Sequence, residues 1–292
     1  MTTALTGLAA GFLIFLVSSG LTLVLGVLRV VNFAHGGLFL VGAYIAYELQ
    51  GGRAQPVPLF ILLVILAGFL TAVIGVLAER LMLRRLYGHA EETVLLATYA
   101  LLLMLQGGVQ MLWGSQQRTQ PRPELFTGAL EAGGVVLPRY DIVLIVTGVA
   151  VFGLLQWMIY GTGFGRQVLA VAEDRYMASL LGIRISRVYT ITFGIAVFLA
   201  GLGGALAAPT LSMTPGIAST FILYSFAVVI VGGFGSISGS LIASLLLGVL
   251  ASYLGTYAPA LADFALYLPM LLILVLRPQG LRGSRSREVA VA

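Results

Sequence analysis

The chain has 292 residues, of which 59% are hydrophobic and 9% are charged, and its mean hydropathy is +1.04. This composition excludes an ordinary soluble domain and indicates a polytopic membrane protein. The formal net charge of +5 comes from arginines scattered at the ends of apolar runs, which favours a role in membrane topology over nucleic-acid binding.

Nine apolar segments follow one another along the chain. They lie at 5–28, 37–49, 58–78, 93–113, 140–159, 189–207, 221–231, 238–254 and 262–276. A helix of about 20 residues crosses a hydrocarbon core about 30 Å thick. The second and seventh segments are too short for this, which is typical of broken or re-entrant helices. We therefore predict an all-α polytopic fold of about eight to nine transmembrane segments, forming a single integral membrane domain over 1–292.

A polar break separates the first two segments at 32–37. Irregular backbone at membrane depth must be buried in protein or line a wet cavity. Asn32 and His35 are therefore candidate residues of a translocation path, and Gly36 and Gly37 are interpreted as a structural turn. Two alternatives stay open for His35, namely a structural residue that caps irregular backbone and a proton carrier.

Three polar residues of the fourth segment, Thr98, Gln106 and Gln110, are spaced by eight and four residues. This spacing predicts that they lie near one face of a helix and line the path. Ser225, in the short seventh segment, is a further candidate. A structural role competes at each position, because Ser and Thr in spans often bond to their own helix and buried Gln often joins neighbouring helices.

Arginine-rich connections predict the orientation, since cytoplasmic loops carry an excess of basic residues. The arginines of these connections are Arg80, Arg84 and Arg85, then Arg166, Arg175, Arg184 and Arg187, and finally Arg277, Arg282, Arg285 and Arg287. We predict that the loop at 161–189 and the basic tail at 277–292 are cytoplasmic. An even number of segments separates these connections, which is consistent with all three lying on the cytoplasmic side. With that orientation, the N-terminus is predicted to lie outside.

The loop at 161–189 contains an amphipathic pattern. Its apolar positions recur near helical spacing at Val168, Val171, Met177, Leu180 and Leu181. Glu173 and Asp174 lie on another side, and Gly182 is predicted to end the helix. The apolar face of such a helix is buried either in the lipid headgroup region or in a groove on a partner protein. The acidic pair favours the protein groove over anionic lipid.

A glycine-rich run, VGGFGSISGS, connects the seventh and eighth segments at 231–240. Its glycines are Gly232, Gly233, Gly235 and Gly239. They are predicted to turn the chain tightly before a helix that Ser238 caps. Because no lysine follows and no βαβ context surrounds the run, it does not match a phosphate-binding loop.

Three stretches of the chain together resemble one known family. They are, in chain order within 20–280, GLTLVLGVLRVVNFAHGGLFLVGAY, AEDRYMASLLGIRISRVYTITFGIAVFLAGLGGAL and VVIVGGFGSISGSLIASLLLGVL. These stretches are similar to the LivH-type membrane subunit of branched-chain amino-acid ABC importers. The wider family includes permeases for other amino acids, amides and urea, so the motifs mark the transport machine rather than its cargo.

The resemblance implies an ABC importer permease fold in a bacterial or archaeal cytoplasmic (inner) membrane, moving branched-chain or other hydrophobic amino acids by alternating access. It implies as partners a second, LivM-like permease, two ABC ATPase subunits that carry Mg-ATP, and an extracytoplasmic substrate-binding protein. It also implies that the amphipathic segment docks in a groove on the ATPase. The coupling residues are then Glu173, Asp174, Met177, Ala178, Leu181, Gly182 and Ile183.

We expect no covalent chemistry from this chain. Without cysteine, nucleotide-binding motif, metal-ligand cluster or paired carboxylates at membrane depth, the sequence predicts no catalytic residue, no metal site and no cofactor of its own. The alternative function is an ion-coupled secondary transporter or channel that acts without an ATPase, which explains broken helices equally well. That function requires a titratable or cation-binding side chain inside the membrane, and His35 is the candidate.

Overall fold

A computed structural model describes residues 1–86, 88–132 and 134–283. The helices are α1 (Thr2–Leu28), α2 (Ala34–Gln50), α3 (Val57–Ala78), α4 (Arg84–Leu86), α5 (Glu91–Trp113), α6 (Arg139–Gly161), α7 (Gly163–Glu173), α8 (Arg175–Leu180), α9 (Ile185–Ala207), α10 (Ile217–Gly232), α11 (Ile237–Tyr257) and α12 (Phe264–Leu276). Two short strands, β1 (Ala129–Ala132) and β2 (Val135–Pro138), form an antiparallel hairpin. The end of the predicted basic tail, 284–292, lies outside the described residues.

Most of the helices have the length and composition of membrane spans. In the described chain, six are long and apolar enough to cross a membrane, namely α1, Val57–Leu86, α5, α6, α9 and α11. Val57–Leu86 comprises α3 and α4, joined by a π-helical turn at Glu79–Leu83. α10 and α12 are shorter apolar helices. The prediction of an all-α polytopic protein is confirmed, with the β1–β2 hairpin as a small addition.

Hydrogen bonds near the ends of the helices show how those ends are arranged. At one end, Arg29 Nη2 donates to the carbonyl oxygen of Ala172 over 2.9 Å. At the other end, Ser252 Oγ donates to the carbonyl oxygen of Thr3 over 2.9 Å. The first end, which we call the basic end, contains most of the described arginines. Its connections are 29–33, 79–86, 88–90, 162–184, 233–236 and 277–283.

α1 forms the centre of the molecule, and 94% of the residues in its most apolar 18-residue stretch are buried. A helix that is apolar on all sides is expected in such a position. It packs against α6, α9, α10 and α11. Glycines permit the closest of these contacts, because a Cβ added at Gly248 of α11 would meet the backbone nitrogen of Gly11.

α3 and α6 lie at the periphery and expose apolar side chains. On α3, Leu62, Ile65 and Phe69 are exposed, and on α6 Val146 and Leu154 are exposed. An apolar crevice of about 880 Å³ separates the two helices. Surfaces of this composition are suited to lipid chains, which cannot hydrogen-bond to polar groups.

The two short predicted segments are longer helices in the structure. α2 has 17 residues and α10 has 16. Gly36 and Gly37 lie in the first turn of α2, so their interpretation as a turn is wrong. The reason is an Asx turn just before the helix, in which Asn32 Oδ1 accepts a hydrogen bond from the nitrogen of Ala34, the first residue of α2. Gly36 instead permits contact with α10, since an added Cβ would meet the carbonyl oxygen of Ala218.

The amphipathic segment of the 161–189 loop is two helices, α7 and α8, rather than the single helix predicted. Asp174 interrupts it, because its Oδ1 accepts hydrogen bonds from the Tyr176 nitrogen over 2.8 Å and the Met177 nitrogen over 3.0 Å. Side chains of this type compete with helical hydrogen bonding and favour caps. Gly182 follows α8 with φ 79°, at the position where the sequence predicts the helix to end.

Candidate translocation path and coupling surface

The connection between α1 and α2 begins with a residue in an unfavourable backbone conformation. Arg29 has φ 55° and is the only non-glycine residue with positive φ in the part of the chain that the structure describes. This conformation costs about 1 kcal/mol or more for a residue with a Cβ. The Arg29 guanidinium reaches the Ala172 carbonyl near the end of α7. The connection between α1 and α2 is therefore attached directly to α7, the helix that ends at the first predicted coupling residue, Glu173.

Asn32 is buried and holds the start of α2. Its side-chain oxygen accepts from the Ala34 nitrogen over 3.1 Å, and its carbonyl oxygen accepts from the His35 nitrogen over 3.4 Å. The side-chain nitrogen, Nδ2, is buried without a hydrogen-bond partner. Asn32 thus acts on the backbone of the break, and a role in the path stays a prediction.

His35 is fully buried between α1 and α2. Its Nε2 lies 2.8 Å from the carbonyl oxygen of Val17, in the middle of α1, and its Nδ1 is buried without a partner. A Cβ added at Gly20 would come within 2.9 Å of the imidazole, so the glycine makes room for the ring. This geometry favours the structural alternative for His35, which joins the break to the central helix.

Replacing His35 by alanine is expected to lower the amount of folded protein in the membrane. The change removes the hydrogen bond to α1 and leaves a cavity, at a cost of about 2 kcal/mol. The measurement is the membrane level and melting temperature of His35→Ala. Ser225→Ala is the control, because the Ser225 hydroxyl donates only to Phe221 in its own helix. Normal levels of His35→Ala with reduced transport would instead favour the path role.

Thr98 and Ser225 are both buried and satisfied by backbone groups. Thr98 Oγ1 lies 3.3 Å from the Val31 carbonyl oxygen and accepts from the Phe33 nitrogen over 3.2 Å, so it binds the break to α5. Ser225 Oγ donates to the Phe221 carbonyl oxygen over 2.8 Å. These contacts support the structural alternatives for both residues.

Gln106 and Gln110 occupy a different side of α5 from Thr98. Gln106 is half-buried and Gln110 is exposed, whereas Thr98 is fully buried. The prediction that all three share one face is wrong, because eight residues at 100° each leave Thr98 about 80° from Gln106. Gln106 Nε2 donates to Ser219 Oγ of α10 over 3.1 Å. Of the candidate path residues, these two amides alone face away from the packed interior.

The glycine run between α10 and α11 turns the chain as predicted at two positions. Gly233 has φ 101° and Gly235 has φ 73°, whereas Gly232 ends α10 and Gly239 lies in the first turn of α11. The predicted cap Ser238 is wrong, since Ser236 Oγ accepts from the Gly239 nitrogen over 3.1 Å and starts the helix two residues earlier.

The turn also forms a contact with the chain after α12. The backbone nitrogen of Leu281 donates to the carbonyl oxygen of Val231 over 2.8 Å. A Cβ added at Gly233 would lie within 2.6 Å of the Cα of Gly283. The small residues of the run are therefore required where two segments pass closely at the basic end.

An exposed apolar surface covers α8 and the residue after it. Leu181 is 79% exposed, and Tyr176, Met177 and Leu180 are each more than half exposed. We call these four residues the coupling surface. Most of the other apolar side chains of the loop are covered, because Val168 and Val171 of α7 and Ala178 of α8 are buried and Ile183 is partly buried against the same core, whereas Leu169 of α7 is 42% exposed. The loop is thus anchored by α7 and presents α8 outwards.

A cleft of about 720 Å³ lies beside the coupling surface at the basic end. Its walls come from the break, from the start of α5 and from the α7–α8 junction. The acidic and basic residues that line it are Arg29, His89, Glu91, Glu92, Glu173, Asp174 and Arg175. Glu173 and Asp174, which the sequence places among the coupling residues, therefore border the cleft rather than the apolar surface.

Two contacts of this region could not be predicted from the sequence. The bond between Arg29 and Ala172 depends on a backbone conformation that arginine seldom adopts. The bond between Gln106 and Ser219 joins residues 113 positions apart. No group of three or more His, Cys, Asp or Glu residues that could hold a metal ion occurs within the described ranges.

The six described helices of membrane-span length, an irregular connection whose Asn32 is buried among them, and an exposed apolar surface outside the spans are together typical of a polytopic membrane transport protein. Comparison with known proteins identifies the family. A family model described as the permease component of the branched-chain amino acid transport system matches residues 3–276. The chain belongs to this family.

Two branched-chain amino acid permeases are similar to the chain over nearly their whole lengths, and a ribose permease is similar over about a third. The chain is 30% identical to the high-affinity branched-chain amino acid transport system permease protein BraD of Pseudomonas aeruginosa, over 97% of this chain and 95% of BraD. It is 29% identical to the permease protein LivH of Escherichia coli K12, with the same coverage. A ribose import permease, RbsC of Bacillus subtilis, is 31% identical over 36% of this chain and 35% of RbsC. No solved structure matches the chain.

Proposed function

We propose that this chain is a permease subunit of an ATP-driven ABC importer and that it translocates branched-chain or other hydrophobic amino acids. The observation that carries the proposal is the coupling surface, whose Leu181 is 79% exposed in a loop that is otherwise anchored. An apolar patch of this kind outside the membrane spans is suited to a groove on a partner protein. The substrate class follows the names of BraD and LivH, which are similar over 97% of the chain.

The proposed assembly contains a second, LivM-like permease, two ABC ATPase subunits and an extracytoplasmic substrate-binding protein. The basic end faces the cytoplasm, because arginines concentrate there. The host membrane is the cytoplasmic (inner) membrane of a bacterium or archaeon. Mg-ATP is bound by the ATPases, and this chain supplies no catalytic residue.

Coupling in this proposal runs from the ATPase to the polar break. Closure of the ATPases on ATP moves α8, and α7 moves with it because Asp174 alone separates the two helices; the buried residues Val168 and Val171 pass the motion of α7 to the core. The Arg29 hydrogen bond transmits that motion from Ala172 to the connection at 29–33. Asn32 and Thr98 hold this connection to α2 and α5. Helices α2, α5 and α7 therefore move together when α8 is displaced.

The test is transport by purified protein in liposomes. The assembled complex, with its binding protein and ATP, is expected to accumulate radiolabelled leucine, isoleucine or valine. The chain alone, under a proton or sodium gradient, is expected to transport none of them. Uptake by the chain alone, driven by the gradient, would contradict the proposal and establish the secondary transporter.

A further inference from the structure

One outward side of α5 and α10 is polar at membrane depth. It is formed by Gln106 and Gln110 of α5 and by Ser219 and Thr220 of α10, and we call it the polar face. Gln106 is half-buried and the other three residues are exposed. Gln106 and Ser219 are joined by a hydrogen bond of 3.1 Å, so the two helices present one continuous surface.

The depth of this face is set by the length of α5. Gln106 lies seven residues before the end of α5 at Trp113, which corresponds to about 10 Å along a helix. The comparable depth on α3 is occupied by exposed Ile65 and Leu66. An amide or hydroxyl that faces lipid cannot exchange its hydrogen bonds with water, and such a position is costly. The polar face therefore does not face lipid in the working protein.

Towards the basic end, the polar face is followed first by the exposed side chains of Leu103 and Leu223 and then by an aromatic cluster. Phe33 packs against Tyr99 with ring centroids 6.0 Å apart and against Phe226 with centroids 5.0 Å apart. Tyr99 lies two helical turns from Gln106 on the same side of α5 and is exposed. Beyond the cluster, Val31 and Leu95 line the polar cleft at the basic end. A polar surface, three rings and a cleft thus follow one another across the membrane.

We propose that the polar face is one wall of the translocation path, that the second permease closes the path on the opposite side, and that Phe33, Tyr99 and Phe226 form its narrow point. This inference rests on the proposed function, because it requires a partner permease. Phe33 belongs to the break that Arg29 joins to α7, so the narrow point is connected to the coupling loop. The groups along this path are amides, hydroxyls and aromatic rings, and none of them is charged. Such a lining is suited to a small zwitterionic substrate that itself has an apolar side chain.

The absence of cysteine allows a direct test by thiol labelling. Ser219→Cys, Gln106→Cys and the control Ile65→Cys are made in the assembled complex in membranes. The probe is a charged, membrane-impermeant methanethiosulfonate, which reacts with thiolates in contact with water. Modification of this chain is followed by mass spectrometry. We expect the two polar-face variants to react at least ten-fold faster than Ile65→Cys, which lies on a lipid-facing surface.

A photo-crosslinking residue in place of Gln110 tests the identity of the opposite wall. It is expected to capture the second permease, whereas the same residue in place of Leu66 captures no protein. Capture of a second copy of this chain would overturn the choice of partner.

The proteins recovered with the chain in each labelled sample distinguish a failure of this inference from a failure of the proposed function. If the complex is complete and transports, yet Ser219→Cys and Gln106→Cys react as slowly as Ile65→Cys, the wall assignment is wrong and the proposed function stands. If no second permease and no ATPase are recovered with the chain, the proposed function fails, and the inference fails with it.

Discussion

Gly204→Leu is expected to remove most of the folded protein from the membrane. Gly204 lies in α9 where that helix crosses α2, and an added Cβ would meet the carbonyl oxygen of Phe39 and lie 2.9 Å from the Ala43 nitrogen. Because both atoms belong to the backbone of α2, the clash cannot be relieved by a side-chain rotation. Overpacking of this kind costs about 3 kcal/mol or more, a large part of the net stability of a typical protein.

The measurement is the yield of monodisperse protein after gentle solubilisation, with the melting temperature of what is recovered. Gly153→Leu is the matched control, since Gly153 lies on the exposed side of α6 and an added Cβ would meet nothing within 4 Å. We expect wild-type yield from the control. Equal yields from the two variants would show that α2 and α9 do not pack as closely as described.

Leu181→Asp is expected to abolish ATP-driven transport while the permease stays folded. The side chain is 79% exposed, so the substitution removes almost no contact within the chain. In the proposed assembly it places a charge where a leucine enters an apolar groove. Loss of that burial alone is worth about 2–3 kcal/mol, which weakens ATPase binding roughly 30- to 150-fold.

The measurements are recovery of the ATPase subunits with the tagged chain and substrate-stimulated ATP hydrolysis. Leu130→Asp is the control, because Leu130 is an exposed leucine in the β1–β2 hairpin at the opposite end. The control is expected to retain both properties. Full transport by Leu181→Asp would mean that the coupling surface does not contact the ATPase.

Segments whose polarity contrasts with their surroundings could be predicted from the sequence. The break at 32–37 and the loop at 161–189 interrupt a chain that is otherwise apolar, so their positions are evident. Gly182 was predictable as a helix end because glycine adopts a left-handed conformation at little cost and often follows helices. In the structure it follows α8 with φ 79°. The family resemblance extended over the same segments and was confirmed by the match over residues 3–276.

Side-chain environments could not be predicted, because they depend on how each helix is rotated against its neighbours. Thr98 and Gln106 are both polar residues of one apolar helix, yet the first is fully buried and the second borders an exposed face. Asp174 fits the periodicity of a single amphipathic helix, but its carboxylate caps a new helix instead. Arg29 could not be singled out, since its role follows from a backbone conformation and a distant carbonyl.

The composition of the native complex tests the central claim most directly. The tagged chain is extracted gently from its own membrane, and the proteins that co-purify are identified and quantified by mass spectrometry. We predict one second permease of related sequence and two ATPase subunits for each copy of this chain. Recovery of the chain alone or as a homo-oligomer, under conditions in which it remains folded, would contradict the account.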